Sequence, residues 1–307
     1  MQLRQRLYFS YKATDLVWRH CSAAVRTLPE VFILGATKSA STSLTGMLFS
    51  HPWHVGAFAK ELMYLQKLPN FKSAWEWNPW VAFLWGRVSN GHAQYSVGGY
   101  RKFFPLKLQM TLRAALKGRA ITADCDPFNL YCPTALERIK GFARDPRFVI
   151  SLRNPIDRAY SDYNMNTQRI TPLETRSFEQ SIDDELSGRE TRFRRRYLNQ
   201  STYEPHVRRW IEAFGKDRIL ILKAENIFKN PAGAASQMFA FLDLPDTSPH
   251  ADVAQKNIGK YSAPLSTGTR GRLAEYFAPY NDRLGDLIGW KHDLDVKSTR
   301  PRQEVSA

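Results

Sequence analysis

Short apolar runs alternate with segments of helical period along most of the chain. Residues 31–35 (VFILG) and 148–152 (FVISL) are nearly apolar at every position, as in strands covered on both faces of a parallel sheet. Residues 218–222 (RILIL), 119–123 (RAITA) and 54–58 are further strand candidates. Leu44, Met47 and Leu48 follow the first run at helical spacing, and 135–142 also reads as helix. A helix is expected to start at Pro155, a favourable first-turn position. Over 203–214, Val207, Trp210, Ile211 and Phe214 share one helical face, and 231–242 and 270–288 read as helices. This alternation predicts an α/β fold, three-layered, with a mostly parallel sheet flanked by helices on both faces. Residues 71–105 are rich in Trp, Phe and Gly without a period and read as an insertion or lid. The expected organisation is a basic N-terminal segment (1–28), one domain (29–290) and a tail (291–307).

Composition narrows the function classes. A hydrophobic fraction of 43% and an aromatic fraction of 13% exclude a disordered chain. The formal charge of +15 implies anionic partners: nucleic acid, a phosphate-bearing cofactor, an acidic glycan or a membrane surface. Cys21, Cys125 and Cys132 make no disulfide framework and have no zinc-site spacing, so reduced thiols and a cytoplasmic location are expected. The longest uncharged run, 39–59, carries too many hydroxyls and two histidines for a transmembrane span. The first 30 residues lack the apolar core of a signal peptide. They are expected to pack on the domain, with peripheral membrane contact as the alternative.

The loop after the first strand, GATKSASTSL, joins a buried strand to a helix. Backbone N–H groups at a helix N-terminus, the Lys38 charge and the Ser39, Ser41, Thr42 and Ser43 hydroxyls together make an anion site. It is not a Walker A loop, which places its Lys directly before the helix. The simpler reading is that the hydroxyls only cap the helix. A second anchor, RNPIDRAYSDY, puts Arg153 at the carboxyl end of a buried strand, where ligands sit in open α/β sheets. Ser161 follows two helical turns later. Arg153 can fork two phosphate oxygens while Ser161 donates a further bond.

Together these anchors resemble those of sulfotransferases that use 3′-phosphoadenosine 5′-phosphosulfate (PAPS). The first is similar to their GxxKxGTTSL loop and the second to their RxPxxRxxSxY motif. The resemblance continues through His51-Pro52, Lys60-Glu61, residues 203–225, the FLDL of 241–244 and residues 270–289, covering about 29–290. KELMY at 60–64 resembles the KExxFF of the carbohydrate and heparan-type branch and its bacterial relatives.

The resemblance implies a P-loop-like sulfotransferase fold and in-line transfer of a sulfuryl group from PAPS to a hydroxyl or amine, leaving adenosine 3′,5′-bisphosphate. Lys38 would stabilise the departing phosphate, with Ser39, Ala40, Ser41, Thr42 and Ser43 around it. Arg153 and Ser161 would hold the 3′-phosphate. Lys256 or Lys260 would close over the cofactor. Glu61 would act as base, with His51 and His54 as rivals. The implied acceptor is a glycan. No metal and no specific nucleic acid are implied. The competing classes are a nucleotide-dependent kinase or NTPase of similar layering, and an inactive anion or nucleic-acid binder. The arginine run over 189–196 reads either as a solvated loop or as a clamp for an anionic acceptor. Trp75, Trp77, Trp80 and Trp85 read as core, with sugar stacking as the alternative.

Two positions depart from the family pattern. Ala40 stands where the loop usually has Gly, so a backbone conformation that alanine tolerates is expected there. Asp124-Cys125-Asp126-Pro127 replaces a Glu-x-Ser/Thr-Pro sequence. A carboxylate at Asp124 or Asp126 is expected to hold a lysine or acceptor groups.

Overall fold

The computed structural model describes residues 14–66, 96–170, 172–190, 192–247 and 264–290. Four parallel strands form one sheet: β1 (Val31–Gly35), β2 (Ala123–Cys125), β3 (Arg147–Leu152) and β4 (Ile219–Lys223), in spatial order β2-β1-β3-β4. Side chains of a strand alternate between faces, and the apolar runs fill both. Phe32, Leu34, Phe148 and Ile150 face one side; Val31, Ile33, Cys125 and Val149 face the other.

Helices cover each face. On the first, α5 (Pro133–Phe142) contributes Ala135, Leu136 and Ile139, and α8 (Tyr203–Phe214) contributes Val207 and Trp210. Trp210 satisfies its indole N–H on the Leu130 carbonyl at 3.1 Å. On the second, α2 (Ser41–Ser50) packs Leu44, Met47 and Leu48 against α10 (Pro231–Phe241), with α9 (Ala224–Lys229) alongside. A third cluster joins α6 (Pro155–Thr167), α7 (Phe178–Leu186) and the long α11 (Thr267–Ile288). The remaining helices are α1 (residues 14–21), α3 (Val97–Arg101) and α4 (Lys107–Lys117). Pro133, Pro155 and Pro231 each open a helix, where the missing N–H has no intrahelical partner to lose.

Two strand expectations are corrected. Residues 54–58 form no strand, and the 119–123 run joins the sheet only at Ala123. His54 and Ile121 make a single bridge to each other, with Val55 N–H donating to Ile121 at 2.8 Å and Ile121 N–H to Trp53 at 2.9 Å. Ile121 spends its hydrogen bonds outside the sheet, so the ladder to β1 begins two residues later, at Ala123. The lid expectation for 71–105 is also revised at its end: Tyr100, Phe103 and Phe104 are fully buried in the main core. Residues 67–95, with Trp75, Trp77, Trp80 and Trp85, lie outside the described residues. From residue 14 onward the N-terminal segment packs on the rest of the chain. Leu16 is buried, and the Arg26 guanidinium donates to the Phe104 carbonyl at 2.8 Å. No helix among the described residues is long and apolar enough to cross a membrane.

Candidate functional site

The loop between β1 and α2 lies at the carboxyl end of the sheet. Gly35 has φ 146°, and a Cβ there would stand 2.8 Å from the Pro127 carbonyl oxygen, so only glycine lets the loop pass beneath that backbone. The loop is then fastened from below. Arg158, fully buried on α6, donates through Nε to the Thr37 carbonyl at 3.2 Å and through its terminal nitrogens to Thr37 Oγ1, Asp162 (2.7 Å) and Gln200 (2.7 Å). Tyr131 lies within bonding distance of the Thr37 amide at 3.2 Å. The second arginine of RNPIDR is therefore a structural rivet, a role that its place in a phosphate motif did not suggest.

Lys38 (φ 63°) and Ala40 (φ 66°, ψ 13°) both adopt the left-handed region. For Ala40 this overturns the expectation of a tolerated backbone. Ala40 is the residue that turns the chain into α2, and its carbonyl accepts the first helical bond, from Leu44 N–H at 3.1 Å. The turn is kept at a strain of about 1 kcal/mol. No side chain caps α2. The hydroxyls thus do not act as caps, and the first-turn N–H groups remain oriented toward the loop. Ser39 is fully buried, Ser41 and Ser43 nearly so, and Thr42 is partly open.

Arg153 leaves the end of β3 and donates to the Lys38 carbonyl at 3.4 Å, which brings the two anchors together. Asn154 caps α6 by accepting from Ile156 and Asp157, and its own N–H donates to Glu225 at 3.0 Å. This fixes the exit angle of Arg153. Ser161 is buried on the same helix. Lys256 and Lys260 lie outside the described residues.

Lys60 and Glu61 reach the loop from another direction. Lys60 Nζ donates to Thr42 Oγ1 at 2.7 Å and pairs with Glu61 at 3.1 Å. The segment is held in an unusual shape, with Glu61 at φ 57° and Met63 at φ 52°. Two hydrogen bonds pin it: Glu61 N–H to the Cys125 carbonyl at 3.0 Å, and Met63 N–H to the Asp126 carboxylate at 2.6 Å. Asp126 also accepts from Phe128 N–H at 3.1 Å, and Asp124 accepts from the Tyr100 hydroxyl. Tyr100 and Asn129 bond Asp124, and Gln66 joins the Met63 and Phe128 amides on Asp126, so the expected lysine-holding role gives way to anchoring of the chain. Burial, and the nearby Glu61 charge, push the Asp126 carboxyl above its usual range; burial and Asp126 do the same to Asp124.

His51 and His54 sit at the far end of α2, roughly 15 Å along the helix from the loop. His51 Nε2 meets the Pro245 carbonyl at 3.1 Å, and the His54 ring stacks on Phe49 at 4.4 Å. Burial lowers both, His54 to about 4. Neither reaches the site, and both serve packing.

The arginine run is largely tied up. Arg192 and Arg195 pair with Glu190, Arg189 pairs with Asp184, and Arg176 bridges Glu174, Asp184 and Glu190. Burial opposes ionisation of Glu174, but hydrogen bonds from Arg176 hold its carboxyl down to about 2. Arg194 turns back toward the site, its guanidinium 4.9 Å above the Phe128 ring and 3.8 Å from Met63 Sδ. Burial, then Arg169, lower it to about 10.

Backbone amides, a lysine and an arginine can hold a multiply charged anion at this strand end. A carboxylate beside them can receive a proton from an incoming nucleophile. Among the described residues no cluster of His, Cys, Asp and Glu is disposed to hold a metal. An open parallel sheet with such a loop at its carboxyl edge is the frame of an α/β protein with a ligand crevice at the strand ends. The sequence profile of the sulfotransferase family matches residues 29–248, and the chain belongs to that family. It is 24% identical over 301 residues to heparan sulfate glucosamine 3-O-sulfotransferase 5 of Mus musculus, covering 88% of this chain and 75% of that protein. It is 23% identical over 239 residues to bifunctional heparan sulfate N-deacetylase/N-sulfotransferase 1 of Caenorhabditis briggsae, covering 73% of this chain but only 24% of that protein. The crystal structure of a sulfotransferase from Alicyclobacillus acidocaldarius shares the fold, with TM-score 0.63, 23% identity, and coverage of 86% of this chain and 96% of that one.

Proposed function

We propose that this sulfotransferase moves a sulfuryl group from PAPS to a hydroxyl or amine of a carbohydrate acceptor, within a catalytic domain spanning about residues 29–290. The observation that carries the reading is the Thr42–Lys60–Glu61 chain: one lysine bonds both the anion loop at 2.7 Å and the candidate base at 3.1 Å. This link supports a donor site and an acceptor base one side chain apart, as in-line displacement requires.

In this reading the 5′-phosphosulfate lies against the amides and hydroxyls of Ser39, Ala40, Ser41, Thr42 and Ser43. Lys38 neutralises the charge that grows on the leaving phosphate oxygen. Arg153 and Ser161 hold the 3′-phosphate, with Lys256 or Lys260 supplying further charge. Glu61 takes the acceptor proton, and its left-handed backbone, pinned by the Cys125 carbonyl, aims it. The product is adenosine 3′,5′-bisphosphate. The heparan sulfate relatives support a glycan acceptor, and the inward turn of Arg194 supports an anionic one.

Transfer from radiolabelled PAPS to neutral and acidic glycans, lipids and phenols tests this. The wild type should label a glycan, and Lys38→Ala should lose at least about a hundredfold. Full transfer by Lys38→Ala, or labelling of phenols alone, would overturn the assignment.

A further inference from the structure

We propose that α4, together with the outer side of α1 and the turn after it, is a peripheral docking face for an anionic lipid bilayer. Helix α4 has no buried residue at all. Leu108, Leu112 and Leu116 recur every four positions and therefore form one stripe, 64%, 55% and 79% exposed. Three large apolar side chains in line on a helix are more than the scattered exposure common on protein surfaces. Lys107, Arg113 and Lys117 flank the stripe, and residues 96–123 contain no Asp or Glu. A short helix with an apolar stripe and basic flanks is built to lie in a membrane interface. At 11 residues it spans roughly 16 Å, too short to cross.

Exposed apolar side chains also stand on the neighbouring N-terminal segment. Val17, Trp18 and Val25 are 44%, 60% and 57% exposed. This segment is tied to the start of α4 by the Arg26–Leu106 bridge and by Thr27 N–H donating to Pro105 at 3.0 Å. Its one carboxylate, Asp15, is taken by Arg19 at 3.0 Å. Tryptophan beside leucine and lysine suits the headgroup boundary.

Charge selects the occupant. Two copies related by a two-fold axis would bring the same basic patch together with no carboxylates to meet it. A bilayer of anionic lipids supplies both the apolar interior and the counter-charge. The face also lies away from the anion loop. Arg113 donates to the Pro52 carbonyl at 2.9 Å, beyond the last turn of α2, and Ile121 bridges ahead of β2. Docking here leaves the carboxyl edge of the sheet open.

Flotation of the full chain with vesicles tests the proposal. Binding is expected to phosphatidylcholine vesicles containing phosphatidylglycerol, falling at high salt, and not to phosphatidylcholine alone. Leu108→Gln/Leu112→Gln/Leu116→Gln should weaken partitioning about tenfold or more. Lys107→Gln/Lys117→Gln should do the same through the charge term. Leu186→Gln, at a leucine 52% exposed on α7, should bind as the wild type, and all variants should melt with it. Absence of binding, equal binding to both vesicle types, or an unaffected triple variant would overturn the proposal. So would sedimentation showing self-association that the triple variant abolishes without any vesicle binding.

Discussion

Replacing Ala40 by glycine isolates the strain in the anion loop. Alanine at φ 66° brings its Cβ against the carbonyl that follows, at about 1–2 kcal/mol. Ala40→Gly removes that clash and leaves every amide in place. Two effects oppose the gain. Glycine frees the unfolded chain by about 0.4–1 kcal/mol. The half-buried methyl, which packs with the Leu44–Met47 cluster, gives up roughly 0.4 kcal/mol. The net expectation runs from a loss of about 0.4 to a gain of about 1.2 kcal/mol in folded-state stability. Ala274→Gly, within the right-handed α11, should instead lose about 1 kcal/mol. Urea unfolding of the two variants at a common slope measures the contrast, and transfer from labelled PAPS should survive Ala40→Gly. Equal destabilisation of the two variants would refute the left-handed assignment and with it the loop geometry.

Three further outcomes are expected. Arg158→Met strands the buried Asp162 and the Thr37 carbonyl and should destabilise by about 3–5 kcal/mol in urea, with Asp162→Asn costing less in that background than alone. Glu61→Gln should lower kcat about 10²–10⁴-fold while KM for PAPS changes little, read by initial rates. Stability against pH carries two opposite signatures. Asp124 and Asp126 have raised folded values, so their contribution is full below the free carboxylate range near about 4 and is lost as pH rises through the raised values. His54 and His206, each lowered to about 4 chiefly by burial, lose stability as pH falls from about 6.5 toward that value. Asp124→Asn should therefore steepen the acid-side loss in a pH series of urea melts; an unchanged slope would contradict the buried-carboxyl account.

Three strands were legible because their residues are apolar on both faces. β2 was not: its three residues include Asp124, and the apolar alternation just before it belongs to the bridge with His54. Helix starts at Pro155 and Pro231 were legible because proline and the Asn caps before them act locally. In the site, Lys38 and Arg153 were readable from spacing at strand ends. The reach of Lys60 to Thr42, 18 residues away, depends on how the chain returns past β2 and has no local signal. The same holds for Arg158, whose partners come from three separate segments: Thr37, Asp162 and Gln200. The Asp126 anchor was visible only as an odd residue in a familiar place.

The cysteines differ in a way that offers an experimental handle. Burial drives the Cys125 thiol to about 12, so it stays protonated and inert beneath the loop, and Cys132 is enclosed as well, whereas Cys21 is exposed at the end of α1. A maleimide dye added to the native protein would mark Cys21 and leave the other two untouched. That fluorophore would ride beside Trp18 without any engineered cysteine, giving a single-site optical reporter on the N-terminal helix.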